Sequence, residues 1–526
     1  MCVLKIFKCH LSFTLVLIGL AWLALSAPVQ KLAAAENSAL VTATNSINSN
    51  ELRRHVETLA DDALEGREAG SRGGRAAAVY VRNQLQSFGI QPAGPDGDYF
   101  QLFQGRFRNI LGKIEGRDPV VKDEFIIVGA HYDHVGYGNR TNSFGPFGYI
   151  HNGADDNASG TAGLLEVVEA FTKLEQPPRR SILFAFWDGE EKGLLGSKHY
   201  VSDPVIPLRQ TKMMLNADMI GRLRGDQLMI YGSRTAAGCR RLASSMNVSD
   251  LVIDFTWEMK DNSDHYSFFE HGLPVMMLHT GLHDDYHRPR DDADKINTDG
   301  VQRVSRMLFS IAYELAEADE VPRFRDSSRR ETLAMQKQLQ SNRRVERLPS
   351  RLGVGWQPDE QATDGLRITR VTPGSAAERS ELQVNDRILR FDGRPIMSGS
   401  ELRAAVVSAR SPVRVVLLRG DRAEPIELMV ELDGKPHRLG IGWITDDAEP
   451  DALIVSRVIP DSPADRAGIQ LNDRVYEIDG HRFYSAEQFI EEAQSSPGPI
   501  SLLIERDGRL REFLVTGLTA PEADTN

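Results

Sequence analysis

The chain has 526 residues, is 41% hydrophobic and 26% charged, and carries a formal net charge of −12. That length exceeds one ordinary domain, and the composition is that of a globular protein. The acidic balance excludes a nucleic-acid binder, which needs a basic surface, and leaves peptides and small molecules as partners.

At the N-terminus, Lys5 and Lys8 precede an apolar run at 11–27, and Ala33-Ala34-Ala35 offers a small-residue cleavage site before Glu36. This is the pattern of a secretory signal over 1–35, leaving an exported protein, periplasmic or extracellular, with no membrane span after cleavage. The alternative is an uncleaved N-terminal anchor, because the run approaches spanning length. Cleavage would remove Cys2 and Cys9 and leave Cys239 alone. An intrachain disulfide and a multi-thiolate metal site are then excluded.

From 36 to 320 short, very apolar runs alternate with helical stretches. The runs are "EFIIVGA" (124–130), "SILFAFW" (181–187), "KMMLNA" (212–217) and "PVMMLHT" (274–280); 160–174 and 300–318 read as helices. Such runs predict an α/β fold with a mostly parallel central sheet covered by helices on both faces. A charged stretch at 321–344 reads as a partly helical linker. Beyond it the chain repeats: "RLGVGW" (351–356) recurs as "RLGIGW" (438–443), and "NDRILRFDG" (385–393) as "NDRVYEIDG" (472–480), at a constant offset of 87. Two copies of a small β-rich domain follow, at 345–434 and 435–520.

Nine of the 13 histidines lie between 131 and 287, and they and the acids fall just after the predicted strands. His131 and Asp133 follow the first run, Glu190 and Glu191 the second and Asp218 the third, while His287 lies beyond the fourth. In an open α/β sheet ligands bind at the carboxyl ends of the strands, so these positions converge on one crevice. Imidazoles and carboxylates without a thiol suit zinc, with manganese or cobalt as substitutes. Two metals need a shared ligand, which a carboxylate of the turn "GADDN" (153–157) can supply, and one of the adjacent glutamates can handle a proton while the other binds metal.

At these residues the sequence resembles the secreted co-catalytic zinc aminopeptidases, the group that includes aminopeptidase S, aminopeptidase Y and glutamate carboxypeptidase II. The resemblance covers about residues 47–318, including "LADDALEGREAGSRGGRAAAVYVRNQLQSFGIQP" (59–92). It implies the zinc exopeptidase fold and two zinc ions: His131 and Asp218 on one, Glu191 and His287 on the other, and Asp155 bridging. It further implies Glu190 as general base, Asp133 behind the far nitrogen of His131, and Tyr286 near the oxyanion. A cis peptide is implied between Asp155 and Asp156, with Asp156 as conformational support. Asp264 and His265 match a family block and are read as shaping the site, Asp188 as starting its loop, and His134, His151, His279 and His283 are left outside the ligand set. Removal of N-terminal residues from peptides is the implied activity. The alternatives are a metal-free binding or receptor protein and a single-zinc enzyme similar to glutaminyl cyclase.

Each C-terminal repeat resembles a PDZ domain of the bacterial protease-associated kind, with Leu352–Trp356 and Leu439–Trp443 as the loops that would capture a peptide's C-terminus or an internal segment. Packing on the peptidase or self-association is the alternative role. Ser380-Glu381-Leu382 stands where the second copy has Ala467-Gly468-Ile469, so a different turn is expected in the first copy. Ser375 and Ser462 belong to repeat turns, and no GxSxG nucleophile elbow is present.

Overall fold

The computed structural model describes residues 39–516 apart from 342–349, 358–364, 421–423, 435, 437 and 461. The expected signal segment 1–35 lies outside the described residues. Among those described, no helix is long and apolar enough to cross a membrane.

The chain divides into two compact units. The first comprises residues up to 236 and 246–329; the second comprises 237–245 and the chain from 330 onward. The first unit is built on a nine-stranded sheet: β1 (Gln91–Pro92), β2 (Phe100–Phe103), β3 (Phe107–Ile114), β4 (Phe125–His131), β5 (Ser181–Trp187), β6 (Thr211–Ala217), β7 (Gln227–Tyr231), β8 (Val252–Phe255) and β9 (Val275–His279). Its order is β1-β3-β5-β4-β6-β9-β7-β8, with β2 paired to β3. The central strands β5, β4, β6 and β9 are mutually parallel. They are the four apolar runs of the sequence, and every residue of β4, β5 and β9 is buried. A strand whose side chains are buried on both faces needs helices above and below it. The edges are antiparallel: β3 against β5, and β7 against β9.

Helix α1 (Ser49–Leu59) starts at Asn48, whose side chain accepts the Glu51 N–H, a standard N-cap. Helices α2 (Gly160–Thr172) and α3 (Thr298–Glu317) pack against each other and against β4, and α1 packs on both. The apolar residues of α3, among them Val301, Val304, Leu308, Phe309 and Leu315, are at most 1% exposed. At roughly 1.5–3 kcal/mol for each fully buried large apolar side chain, this stripe fixes the helix on the sheet.

The first part of the expected linker belongs to the first unit. Ala236 bridges to Phe324, the Arg325 N–H donates to the Thr235 carbonyl, and Arg329 stacks over Phe269 and Phe324. Conversely, the helix Cys239–Ser245 leaves the first unit and packs on the sheet of the second repeat. There Arg240 pairs with Glu505 at 2.8 Å, and Arg241 with Glu477 at 2.8 Å while lying over the Tyr476 ring.

Each repeat has its own core, around Leu352, Ile388, Phe391, Leu402 and Val415 in the first and Leu439, Val455, Val475, Phe489 and Leu502 in the second. Equivalent residues make equivalent contacts. Arg419 holds buried Asp386 in the first copy as Arg506 holds Asp473 in the second. Ser375 and Ser462 cap short helices. The turn expected to differ does not: Glu381 adopts φ 61° where Gly468 has φ 80°, and the following Leu382 and Ile469 are both buried. Anchoring by that apolar residue holds Glu381 in a conformation glycine takes more freely.

Candidate metal centre

The four parallel strands end on one side of the sheet, and the chemistry of the sequence gathers there. His131 closes β4, Glu190 and Glu191 sit in a single turn after β5, Asp218 follows β6, and His287 lies on the loop after β9. Asp156 reaches the same place from the irregular turn Ala154–Ser159 that leads into α2.

Asp156 stands at the centre. Its Oδ1 is 3.4 Å from His131 Nε2, and its Oδ2 is 3.0 Å from His287 Nε2. His131 Nε2 is also 3.4 Å from Asp218 Oδ1, and His287 Nε2 is 3.2 Å from Glu191 Oε2. One ligand atom each from His134, Asp156, Glu191 and His287 lies within 4.8 Å of the others, and the same holds for His131, Glu190 and Asp218. One carboxylate thus faces two imidazoles with its two oxygens, the geometry a bridging ligand needs.

The expectation for Asp155 is corrected here. Its Oδ1 accepts the Gly221 N–H at 2.6 Å and the Ser159 hydroxyl at 3.1 Å, and its Oδ2 faces His283 Nε2 at 3.1 Å. Neither oxygen faces His131 or His287. The cis peptide also falls one residue later than expected, between Asp156 and Asn157. Asp155 is the support and Asp156 the inward-facing carboxylate. The turn is held by Asp291, whose Oδ2 accepts the N–H groups of both aspartates while its Oδ1 takes Arg222. Asn157 accepts from Gly160 and Met219 and donates to the Ala217 carbonyl.

Asp133 differs from expectation in detail. His131 Nδ1 lies 3.2 Å from the main-chain oxygen of Asp133 and 3.8 Å from its carboxylate. That Oδ1 instead accepts the Glu190 N–H at 3.1 Å, so Asp133 positions the general-base candidate rather than the imidazole. Tyr286 stacks on His287, ring centroids 3.9 Å apart. Asp188 accepts the Arg108 N–H, His151 meets Ser143 and Tyr149, and His279 accepts the Gly281 N–H. Asp264 and His265 are fully buried; burial raises the Asp264 carboxyl to about 7 and lowers the His265 imidazole to about 4.

One residue of the centre, His134, was left outside the ligand set, and another, Arg67, escaped the sequence reading. His134 places Nδ1 2.7 Å from Glu191 Oε1, and its ring edge meets His287. A Cβ on Gly153 would lie 2.4 Å from the His134 ring, and Gly153 has φ 54°, so only glycine admits this packing. The repeated histidine of "HYDH" (131–134) was the available signal. Arg67, fully buried, donates to the carbonyls of Leu59, Tyr132, Asn152 and Gly153. It ties the β4 exit to the aspartate turn and places a cation behind Asp156 and Asp133.

Burial opposes every charge here, and the neighbours decide the outcome. His131 is held well above the usual imidazole range by Glu190, Asp218 and Asp156 against its burial. Burial notwithstanding, His131 and His287 hold Asp156 well below the usual carboxylate range. His287 is raised to about 11 by Glu191 and Asp156 despite burial. Glu190 is pushed well above its ordinary range by burial, with Glu191, Asp264 and Asp218 adding to it. His134 Nε2 and Asp133 Oδ2 are buried without a hydrogen-bond partner. Cations would relieve this crowding of carboxylates, and a set of imidazole and carboxylate donors without thiol fits zinc.

An α/β sheet with such a cluster at its carboxyl edge defines a candidate centre of the metal-dependent hydrolase class. Residues 109–312 match peptidase family M28, and 367–419 and 454–506 each match the PDZ domain. Residues 109–312 thus form a region matching peptidase family M28, followed by two regions matching the PDZ domain. Among curated proteins, leucine aminopeptidase 1 of Ajellomyces capsulatus is 26% identical over 269 residues, 47% of this chain and 67% of the relative. Leupeptin-inactivating enzyme 1 of Streptomyces exfoliatus is 26% identical over 276 residues, 52% and 57% of the two chains. Aminopeptidase YwaD of Bacillus subtilis is 26% identical over 226 residues, 41% and 46%. The chain therefore spans about half to two thirds of the length of the curated relatives it matches. Among solved structures, the LapA aminopeptidase of Legionella pneumophila is similar at 20% identity and a TM-score of 0.46, covering 54% of this chain and 75% of that one.

Proposed function

We propose that the protein is an exported zinc aminopeptidase with two metal sites, removing N-terminal residues from peptides, and that its PDZ domains bind peptide or protein segments. The observation that carries the two-metal reading is Asp156, whose two oxygens face His131 and His287 separately. His131 and Asp218 would hold one ion, Glu191 and His287 the other, with Asp156 shared and His134 beside the second. A single-zinc enzyme similar to glutaminyl cyclase would leave one half of this set without a task. Export rests on the N-terminal sequence pattern, and aminopeptidase rather than carboxypeptidase activity on the relatives' names.

Bound zinc would make a water acidic and polarise the scissile carbonyl. Glu190 takes the proton of the attacking water and delivers it to the leaving amine. Asp133 fixes the Glu190 backbone. The Tyr286 hydroxyl is kept protonated by burial and by Asp156, Glu191 and Glu190, so it is available to donate to the developing oxyanion.

Metal analysis of the purified protein, with hydrolysis of aminoacyl amides before and after chelation, tests the reading. About two zinc ions per chain and chelator-sensitive hydrolysis are expected. Less than one ion with no hydrolysis would assign the protein to metal-free binding instead. Glu190→Gln should retain metal and lose roughly 10²–10⁴ in kcat; near-normal turnover would remove Glu190 from the role of base.

A further inference from the structure

Beside the metal centre, the loop after β9 faces the long loop between β4 and the aspartate turn. An aromatic shelf joins both loops to the centre. Tyr286 stacks on His287, and the Phe144 ring lies 6.2 Å from Tyr286 and 6.3 Å from His287, centroid to centroid. Hydrogen bonds to the main chain set that spacing. The Phe144 N–H and the Ser143 hydroxyl both donate to the His287 carbonyl, and Arg288 donates to the carbonyls of Phe144 and Gly145. Phe144 is thus tied to the backbone of a metal-ligand candidate, yet it is 64% exposed, and Leu282 is 66% exposed.

Phe144, Pro146, Leu282 and Tyr286 are the apolar walls of a groove of about 790 Å³, within the roughly 300–1,000 Å³ of sites that enclose small ligands. Its charges do not select a charged occupant. Arg290 is held by Asp285 at 3.1 Å, Arg288 is committed to the two carbonyls, and Asp284 sets a carboxylate against them. The Asp218 side of the centre is closed by contrast. His265, Tyr231 and His279 pack ring against ring there, none more than 7% exposed, and the charge of Asp218 acts on His265 and Tyr231. A closed side limits the length of chain upstream of the cut. A peptide of any length can leave only over the open groove.

We propose that this groove binds the residue that follows the scissile bond, and that Phe144 and Leu282 select a large apolar or aromatic side chain there. The inference rests on the aminopeptidase reading, in which Tyr286 stands at the scissile carbonyl, so the groove begins where the bond is cut.

The full-length zinc-loaded protein, assayed on Leu-Phe, Leu-Leu, Leu-Gly, Leu-Asp and Leu-Lys amides, tests it. The kcat/KM for Leu-Phe amide should exceed that for Leu-Gly amide by roughly tenfold or more, the discrimination an apolar subsite supplies. Phe144→Ala and Leu282→Ala should each lower that ratio at least threefold. Both positions are exposed, and a ratio taken within one protein is insensitive to partial misfolding. Phe-Gly amide against Leu-Gly amide reports the first residue, and that preference should move less than twofold in either variant. A fall of the Phe-to-Gly ratio in one variant alone upholds the groove and assigns it that wall. A ratio near one in the unaltered protein, an unchanged ratio in both variants, or faster cleavage before Asp or Lys than before Phe would overturn the inference while leaving the aminopeptidase intact. A change in first-residue preference instead would give the groove to the departing N-terminal residue and overturn it equally. No hydrolysis of any amide would overturn the aminopeptidase reading itself.

Discussion

At the scale of single residues, Asp155 and Asp156 are neighbours of identical chemistry with opposite surroundings. Asp155 satisfies the Gly221 and Ser159 donors outside the cluster, whereas Asp156 faces the imidazoles. Asp156→Asn should lower bound zinc to about one ion or fewer per chain and reduce hydrolysis by more than roughly 100-fold, a loss that disturbing a ligand's supporting residues can already produce. Asp155→Asn should keep the metal and lose stability instead, about 1–3 kcal/mol by denaturant unfolding, because a buried acceptor is compromised. Equal metal loss in both variants would contradict the assignment. The sequence made the residue types and their convergence legible, because His131, Glu190, Glu191, Asp218 and His287 all follow strand ends. It could not say which aspartate turns inward. That depends on φ and ψ within the turn and on Asp291, Ser159 and Gly221, which are distant in sequence or carry no distinctive signal. His134 was passed over for a similar reason: its ring is placed by the missing side chain of Gly153.

At the scale of elements, the four parallel strands were legible because each is a continuous apolar run bounded by polar turns. The edge strands were not. β1, β2, β7 and β8 are two to five residues long, too short to display a period of their own, and their pairing is set by tertiary contacts. The Cys239–Ser245 helix was equally hidden, since nothing local marks it as the property of a distant domain. Its hold on the second repeat is electrostatic as well as apolar: Arg240 pairs with Glu505, which is fully buried and also lies 3.8 Å from Arg474, itself paired with Glu449. Arg240→Ala leaves a buried carboxylate short of its main partner, so the second unit should lose about 3 kcal/mol in thermal or denaturant unfolding. A change within error would show that Arg474 alone satisfies Glu505.

At the scale of the whole molecule, stability should depend on pH through a pair outside the metal-ligand set. His55 Nε2 lies 3.7 Å from Glu166 Oε1 between α1 and α2. Burial lowers His55 to about 4 and raises Glu166 to about 8. The unfolded chain binds more protons at His55 between pH 4 and about 6.5, so this residue's contribution rises with pH there. The folded chain binds more at Glu166 from about 4.5 to 8, so stability falls as pH climbs through that window. Above about pH 6.5 only the second effect remains. With zinc saturating, the melting temperature should fall by roughly 2–4 °C between pH 6.5 and 8, and Glu166→Gln should flatten that limb. An unchanged slope in the variant would remove Glu166 as its origin.

The helix at 239–245 also changes what it means to cut this protein. The second unit is assembled from two stretches of chain, one of them a loop whose two ends both return to the peptidase. A fragment beginning at residue 330 lacks this helix, and with it the Arg240 and Arg241 partners of Glu505 and Glu477. Here the boundary between the domains is a property of the folded surface, and no one position along the chain marks it.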